Sequence, residues 1–140
     1  MNEVSRRPSH QAVARLRTMY DAFNRGDREE AVSVCHPDIV LIQPAELPGG
    51  TGTYRGHTGL ALALSELLEA WDDYTMEPER IEALADDQLV AAVRLRGRGH
   101  ASGLGMESRF GHLITMHDGL VVRWEVFRTP QEAVEAARVS

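Results

Sequence analysis

The spacing of apolar residues changes once along this chain, from a helical period to a strand period. Up to residue 71, apart from the run 39–42, the apolar positions recur every three or four residues, as in the set Val13, Leu16, Tyr20 and Phe23, which predicts helices with one apolar face. Beyond residue 73 the pattern favours strands, and Asp118-Gly119 is a strong hairpin turn. Helices followed by consecutive strands predict an α+β domain with an antiparallel sheet.

Cap and turn residues divide the chain into elements. We expect Ser9 to cap the first helix, Gly26 to end it and Asp27 to cap a short second helix. The apolar run 39–42 predicts a buried strand, 44–52 a loop, and the segment after His57 a third helix. Four strands are expected over about 74–84, 88–98, 106–117 and 120–128, and a helical tail over 130–140. The whole of 1–140 is expected to form one domain, with residues 1–8 flexible.

The composition of the chain disfavours several classes of function. The chain has 15 basic and 21 acidic residues, a net charge of −6, which disfavours nucleic acid as a partner. No apolar run approaches the roughly 20 residues of a membrane span, and the N-terminus lacks the apolar segment of a signal peptide. We therefore expect a cytoplasmic protein without a membrane partner. The single Cys35 and the scattered histidines show no metal-binding spacing, so neither a metal nor another cofactor is predicted.

Four short motifs carry a family resemblance. The chain resembles SnoaL-like domains of the nuclear transport factor 2-like superfamily in Tyr20-Asp-Ala-Phe-Asn-Arg-Gly-Asp27, His36-Pro-Asp38, Gly52-Thr-Tyr-Arg-Gly-His57 and Asp118-Gly-Leu-Val-Val-Arg-Trp124. The resemblance implies a cone in which a curved antiparallel sheet wraps around the N-terminal helices, and a homodimer formed through the outer sheet face. It leaves the activity open, because the superfamily includes isomerases, dehydratases, epoxide hydrolases, polyketide cyclases and non-catalytic binding domains.

The ketosteroid isomerase relatives offer a residue-by-residue comparison. The position of their general base, on the first strand just before a proline, corresponds here to Gln43, whose amide cannot accept a proton at neutral pH. Their oxyanion tyrosine corresponds to the neighbourhood of Met19 and Tyr20, and their second oxyanion donor to the neighbourhood of His112. Steroid isomerase activity is therefore not expected.

Strand alternation predicts which residues face the interior of the cone. Two mostly apolar sets share a face each: Phe110, His112, Ile114 and Met116 on one strand, and Val122, Trp124, Val126 and Arg128 on the next. His112 is a candidate general acid or base, or a core histidine bonded to Gln43 or a tyrosine. Arg128 is a candidate cation for an enolate or carboxylate, or an end-of-strand arginine that reaches solvent.

The remaining candidates are assigned to substrate binding. Gln43 either orients a polar ligand group or packs near the loop, and Tyr54 and Trp71 line the pocket or belong to the core. The predicted site has His112 and Arg128 as catalytic residues, with Gln43, Met19, Tyr20, Tyr54, Trp71, Phe110 and Trp124 in contact with substrate. Its ligand is expected to be a small hydrophobic, oxygenated molecule that undergoes isomerisation, cyclisation, dehydration or hydrolysis. The alternative is a non-catalytic ligand-binding or dimerisation domain.

Charged residues on the opposite strand faces are expected to lie outside the pocket. Arg94, Arg96 and Arg98 alternate on one strand and predict a charged outer face or a dimer contact. Glu107, Arg109 and Glu125 have the composition of an Asp-Arg-Asp hydrolase site, but alternation places them opposite His112 unless a bulge changes the register.

Overall fold

The computed structural model describes residues 2–44, 52–85 and 87–139. Within these ranges the helices are α1 (Asn2–Arg25), α2 (Arg28–Ser33), α3 (Gly56–Ala70) and α4 (Pro130–Val139). The strands are β1 (Cys35–Gln43), β2 (Gly52–Arg55), β3 (Trp71–Ala83), β4 (Gln88–Gly99), β5 (Gly105–His117) and β6 (Leu120–Phe127). No helix in these ranges is long and apolar enough to cross a membrane.

One curved, unclosed sheet separates two layers of helix. Its strands lie in the order β2-β1-β6-β5-β4-β3, and every pair is antiparallel except β1 with β6, which is parallel. Side chains of α1 and α3, such as Leu16 and Leu60, pack with Ile114 in the main core on the concave face. Helix α4 covers part of the convex face, where Ala133 packs on Val90 and Leu113. The predicted α+β cone is confirmed.

Several predicted ends of elements are confirmed by their hydrogen bonds and torsions. Asp27 Oδ1 accepts from the Glu30 amide at 3.1 Å, and Thr129 Oγ1 accepts from the Glu132 amide at 3.1 Å, as expected of N-caps. Asp118 and Gly119 both have positive φ, 53° and 77°, which the two-residue hairpin turn requires.

Two predicted boundaries are wrong. Helix α1 begins at Asn2, so Ser9 lies inside the helix and does not cap it; the expected flexibility of residues 1–8 stays a prediction. The loop predicted over 44–52 falls mostly outside the described residues, but Gly52 begins strand β2, whose backbone pairs with β1 from Gln43 to Val40. A strand of 4 residues is too short for alternation to predict, and the pairing with β1 is what stabilises it.

A bulge in β6 changes which residues face the core. Thr115 pairs with Arg123, but the next residue, Met116, pairs with Val121, so Val122 is the extra residue of the bulge. Val121 is completely buried and belongs to the main core, whereas Val122 is only half-buried. The predicted inward position of Val122 is therefore wrong, while Trp124 and Val126 beyond the bulge are buried as predicted.

Candidate functional site

A cavity of about 200 Å³ lies against the concave face of the sheet. Most of its wall is apolar or aromatic, and a few polar side chains interrupt it. The lining residues are Gln43 from β1, Leu67 from α3, Trp71, Tyr74 and Met76 from β3, Leu95 from β4, Met106, Glu107, Ser108, Phe110 and His112 from β5, and Trp124 and Val126 from β6. A concave, mainly apolar space with a few polar groups is typical of small-molecule sites.

Glycines on β4 leave room for the aromatic wall. Val93 and Leu95 of β4 are buried on the concave face, and the same alternation continues with Gly97 and Gly99. A Cβ atom at Gly97 would lie 3.3 Å from Tyr74 Cδ2, and one at Gly99 would lie 3.8 Å from a ring carbon of Trp71. The Tyr74 ring therefore lies close to the β4 backbone because Gly97 carries no side chain, whereas a Cβ atom at Gly99 would meet Ser102 Oγ, at 2.5 Å, before the Trp71 ring.

The most buried polar group on the cavity wall is His112. Its side chain is 2% exposed, and its Nδ1 lies 2.8 Å from the hydroxyl oxygen of Tyr20, which is 0% exposed. Burial lowers the pKa of His112 to about 3, and burial raises the pKa of Tyr20 above its ordinary value. Both groups are consequently neutral at physiological pH, since burial disfavours the charged form of each.

The tautomer of His112 follows from the needs of Tyr20. The tyrosine hydroxyl has no hydrogen-bond partner other than His112 Nδ1 among the residues described. If Nδ1 carried the proton, the Tyr20 O–H would be a buried donor without an acceptor, which costs about 1–3 kcal/mol. We therefore assign the bond as Tyr20 O–H donating to Nδ1, which leaves the imidazole proton on Nε2.

The second ring nitrogen of His112 is open to the cavity. In the described part of the chain, only Arg94 Nε and Trp124 Nε1 are fully enclosed side-chain polar atoms without a hydrogen-bond partner. His112 Nε2 also has no partner among the described residues, yet it is not one of these enclosed atoms, and the ring lines the cavity. The Nε2–H group is therefore available to a molecule inside, while the enclosed Trp124 Nε1 is not.

Neighbouring rings hold the imidazole in place. Tyr20 stacks on His112 with ring centroids 5.9 Å apart, and Trp124 packs edge-on against both, at 5.4 Å from His112 and 6.1 Å from Tyr20. The three rings come from α1, β5 and β6. A rigid ring on a strand gives a hydrogen-bond donor with a fixed direction, which a binding or catalytic site needs.

Five of the predicted site residues meet in the cavity wall: Gln43, Trp71, Phe110, His112 and Trp124. Tyr20 lies directly behind this wall and acts on it through His112. His112 is thus bonded to a buried tyrosine, as expected of a core histidine, and its ring also lines the cavity.

The structure does not bring Met19, Tyr54 or Arg128 to this wall. Met19 is buried in the core, where its sulfur lies 3.9 Å from Cys35 Sγ. Tyr54 donates its hydroxyl to Glu66 Oε1 at 2.6 Å. Arg128 is exposed and follows the last residue of β6, so strand alternation no longer determines its direction.

Three polar lining residues were missed by sequence reasoning: Ser108, Tyr74 and Glu107, the last of which alternation had placed outside the pocket. Ser108 lies on the same strand face as Phe110 and His112, and extending the alternation by two residues would have included it. Tyr74 was harder to find, because β3 is irregular against β4 between Asp72 and Thr75. Its ring packs edge-on against Phe23 with centroids 6.2 Å apart.

The convex face carries the charged residues. Arg109 Nε lies 2.8 Å from Glu79 Oε1, Arg96 Nε lies 3.2 Å from Glu107 Oε1, and Arg94 Nε lies 3.6 Å from Glu107 Oε2. Glu107 is exposed and also borders the cavity. Among residues 2–44, 52–85 and 87–139, no group of three or more His, Cys, Asp or Glu side chains is arranged to hold a metal ion.

Comparisons with known proteins identify the fold. The model of the SnoaL-like domain family matches residues 16–124. An NTF2-like protein from Burkholderia xenovorans LB400 is 24% identical, with 91% of this chain and 95% of that chain covered and a TM-score of 0.72. A proposed polyketide cyclase from Xanthomonas campestris pv. campestris is 20% identical over 95% of this chain and 99% of its own, with a TM-score of 0.75. TerC, crystallised with polyporic acid, is 22% identical over 93% and 99%, with a TM-score of 0.75. None of the curated proteins matches the sequence significantly.

Proposed function

Because this chain belongs to the family of SnoaL-like domains, we propose that it binds a small hydrophobic, oxygenated molecule in the cavity around His112. One observation carries the proposal: the nearly fully buried His112 lines an apolar cavity, and its Nε2, the atom to which we assign the proton, has no hydrogen-bond partner among the described residues. Buried polar groups are normally paired. An oxygen atom of a ligand supplies the missing acceptor.

A neutral His112 acts as an electrophile towards that ligand. Its pKa of about 3 makes the imidazolium form rare near pH 7. His112 is therefore not assigned the role of a general acid that donates a proton from its charged form. A fixed Nε2–H group can instead stabilise negative charge that develops on a carbonyl oxygen. Isomerisation, cyclisation, dehydration and hydrolysis of carbonyl compounds share this need. We assign His112 this role, with Gln43 orienting a second polar group of the ligand.

A second candidate function is ligand binding without turnover. It is favoured by the shortage of acid–base partners near His112 among the lining residues. Among the described lining residues, the one carboxylate belongs to Glu107, whose two oxygens face Arg96 and Arg94. Arg128 is exposed and does not line the cavity, so neither proposal depends on it.

Binding can be tested with the intrinsic fluorescence of the protein. The sequence has 2 tryptophans, and both, Trp71 and Trp124, line the cavity, so their emission reports on a ligand there. We expect aliphatic cyclic ketones, whose carbonyl absorption in the tryptophan excitation range is weak, to change the emission of the wild-type protein.

The variant Tyr20→Phe/His112→Leu removes the N–H donor without leaving the Tyr20 hydroxyl unpaired. Its affinity for a ketone should fall about five- to tenfold, the loss of one neutral hydrogen bond. His117→Leu is the matched control, because His117 lies on the same strand and is exposed. Equal affinities of the double variant and the control would remove His112 from the site. Chromatography of the ligand after incubation separates the two candidates, since an unchanged ligand supports binding alone.

A further inference from the structure

The cavity wall contains no positive charge among the residues described. None of its lining residues is an arginine, and the one charged side chain that borders it is the carboxylate of Glu107. Arg94 and Arg96 direct their guanidinium groups to Glu107 on the convex side. Within the described part of the wall, a ligand therefore meets neutral polar groups and an apolar surface, with no counter-ion for a negative group.

From this charge distribution we propose that the cavity selects uncharged carbonyl compounds and rejects carboxylates of the same size and shape. The inference rests on the proposed function and specifies its ligand class. His112 Nε2–H supplies one neutral hydrogen bond to the carbonyl oxygen, as its bond to Tyr20 dictates. A carboxylate would lose its hydration on entry, and neutral hydrogen bonds from His112 and Gln43 without a cation beside them do not compensate for that loss.

The volume of the cavity and its aromatic wall further restrict the size and shape of the ligand. A cavity of about 150 Å³ in another protein holds benzene, so the about 200 Å³ available here suits a compound with one or two rings. Trp71, Tyr74, Phe110 and Trp124 contribute flat surfaces to the wall, and flat rings pack well against such surfaces. The ligand class is consequently a small cyclic ketone, amide or ester, with its carbonyl group directed at His112.

A set of ligands with one shape tests the selection. We would measure the affinities of 2-acetylnaphthalene, 2-naphthamide and 2-naphthoate for the wild-type protein at pH 7 by isothermal titration calorimetry. The ketone and the carboxylate have the same outline and differ in replacing a methyl group by a charged oxygen. We expect the two uncharged compounds to bind at least tenfold more tightly than the carboxylate.

The variant Glu107→Gln examines the cause of the selection. If the absence of a cation inside the cavity causes it, the variant retains the preference for the ketone. Loss of the preference in this variant would show that repulsion by Glu107 causes it, and would overturn the inference.

The remaining outcomes separate this inference from the proposed function. Carboxylate binding as tight as ketone binding, and dependent on His112, would overturn the selection while leaving a small-molecule site at His112. Failure of all three compounds to bind the folded protein would overturn both. Tight ketone binding with weak carboxylate binding, in the wild type and in Glu107→Gln, supports both.

Discussion

A single hydrogen bond between Tyr20 and His112 determines the chemical state of the candidate site. The hydroxyl oxygen and Nδ1 lie 2.8 Å apart in the core, and the bond directs the remaining imidazole proton to the cavity. Tyr20 is in this sense a positioning residue, because it does not line the cavity and acts through the histidine.

The first prediction concerns the energetic coupling of the pair. Tyr20→Phe and His112→Leu should each lower the free energy of unfolding by about 1–3 kcal/mol, since each leaves one buried polar group without its partner. The double variant should cost less than the two single variants together, by about 0.5–3 kcal/mol. Urea unfolding of the wild type and the three variants measures this cycle; strict additivity would contradict the bond.

The second prediction concerns pH. The folded-state pKa of His112 is about 3, below the value of 6.5 for a free histidine, so between these values the unfolded chain binds more protons than the folded one. The free energy of unfolding should therefore fall as the pH is lowered from about 6.5 towards 3, by at most about 1.4 kcal/mol per pH unit from this residue.

Urea unfolding between pH 7 and pH 4.5 checks this dependence when the wild type is compared with Tyr20→Phe/His112→Leu. Other titrating groups contribute to both proteins and cancel in the difference. The variant should have the shallower pH dependence, and His117→Leu should retain the wild-type slope. Parallel curves for the wild type and the double variant would mean that His112 is not buried in its neutral form.

At the scale of elements, the contact between β5 and α4 depends on a residue without a side chain. A Cβ atom at Gly111 would lie 2.4 Å from the Thr129 carbonyl oxygen and 2.6 Å from Pro130 Cα. These atoms belong to the backbone at the start of α4, so they cannot move aside as a flexible side chain would. Gly111 thus allows the helix to pack directly on the convex face.

Gly111→Ala should consequently destabilise the protein by about 1–3 kcal/mol, the usual cost of overpacking a tight contact. Gly105→Ala is the matched control on the same strand, because a Cβ atom there would meet nothing within 4 Å. Thermal or urea unfolding of both variants measures the difference in their stability. A Gly111→Ala protein as stable as the control would mean that α4 does not pack as described.

At the scale of the whole molecule, the convex face is divided between α4 and a charged region. The charged region contains Arg94, Arg96 and Arg109 with their partners Glu79 and Glu107. The family resemblance implies a homodimer through this outer face. We predict that sedimentation will give twice the chain mass of 15.5 kDa.

Charge reversal locates the predicted dimer contact. Arg96→Glu should shift the sedimentation equilibrium towards the monomer, because it places like charges beside Glu107. Arg28→Glu is the control, since Arg28 is an exposed residue of α2 and does not belong to the charged region. A wild-type protein that sediments only as a monomer would contradict the dimer, and an equal response to both variants would contradict its location.

Local signals in the sequence were sufficient to predict the architecture. Asp27, Thr129 and the pair Asp118-Gly119 determine ends and turns through contacts within a few residues, and the change of apolar period predicts the order of helices and strands. The family motifs are likewise short runs of consecutive residues. Of the five predicted site residues in the cavity wall, Phe110, His112 and Trp124 lie where β5 and β6 alternate regularly, whereas Gln43 and Trp71 lie on β1 and β3.

Only the tertiary structure decided which polar groups meet. Tyr20 and His112 are 92 positions apart, and no local pattern specifies their hydrogen bond. The bulge at Val122 and the end of β6 before Arg128 depend on how neighbouring strands pair. The charge on His112 likewise depends on its burial, which many distant residues produce together. Secondary structure arises from short-range preferences, whereas the state of a buried group arises from everything packed around it.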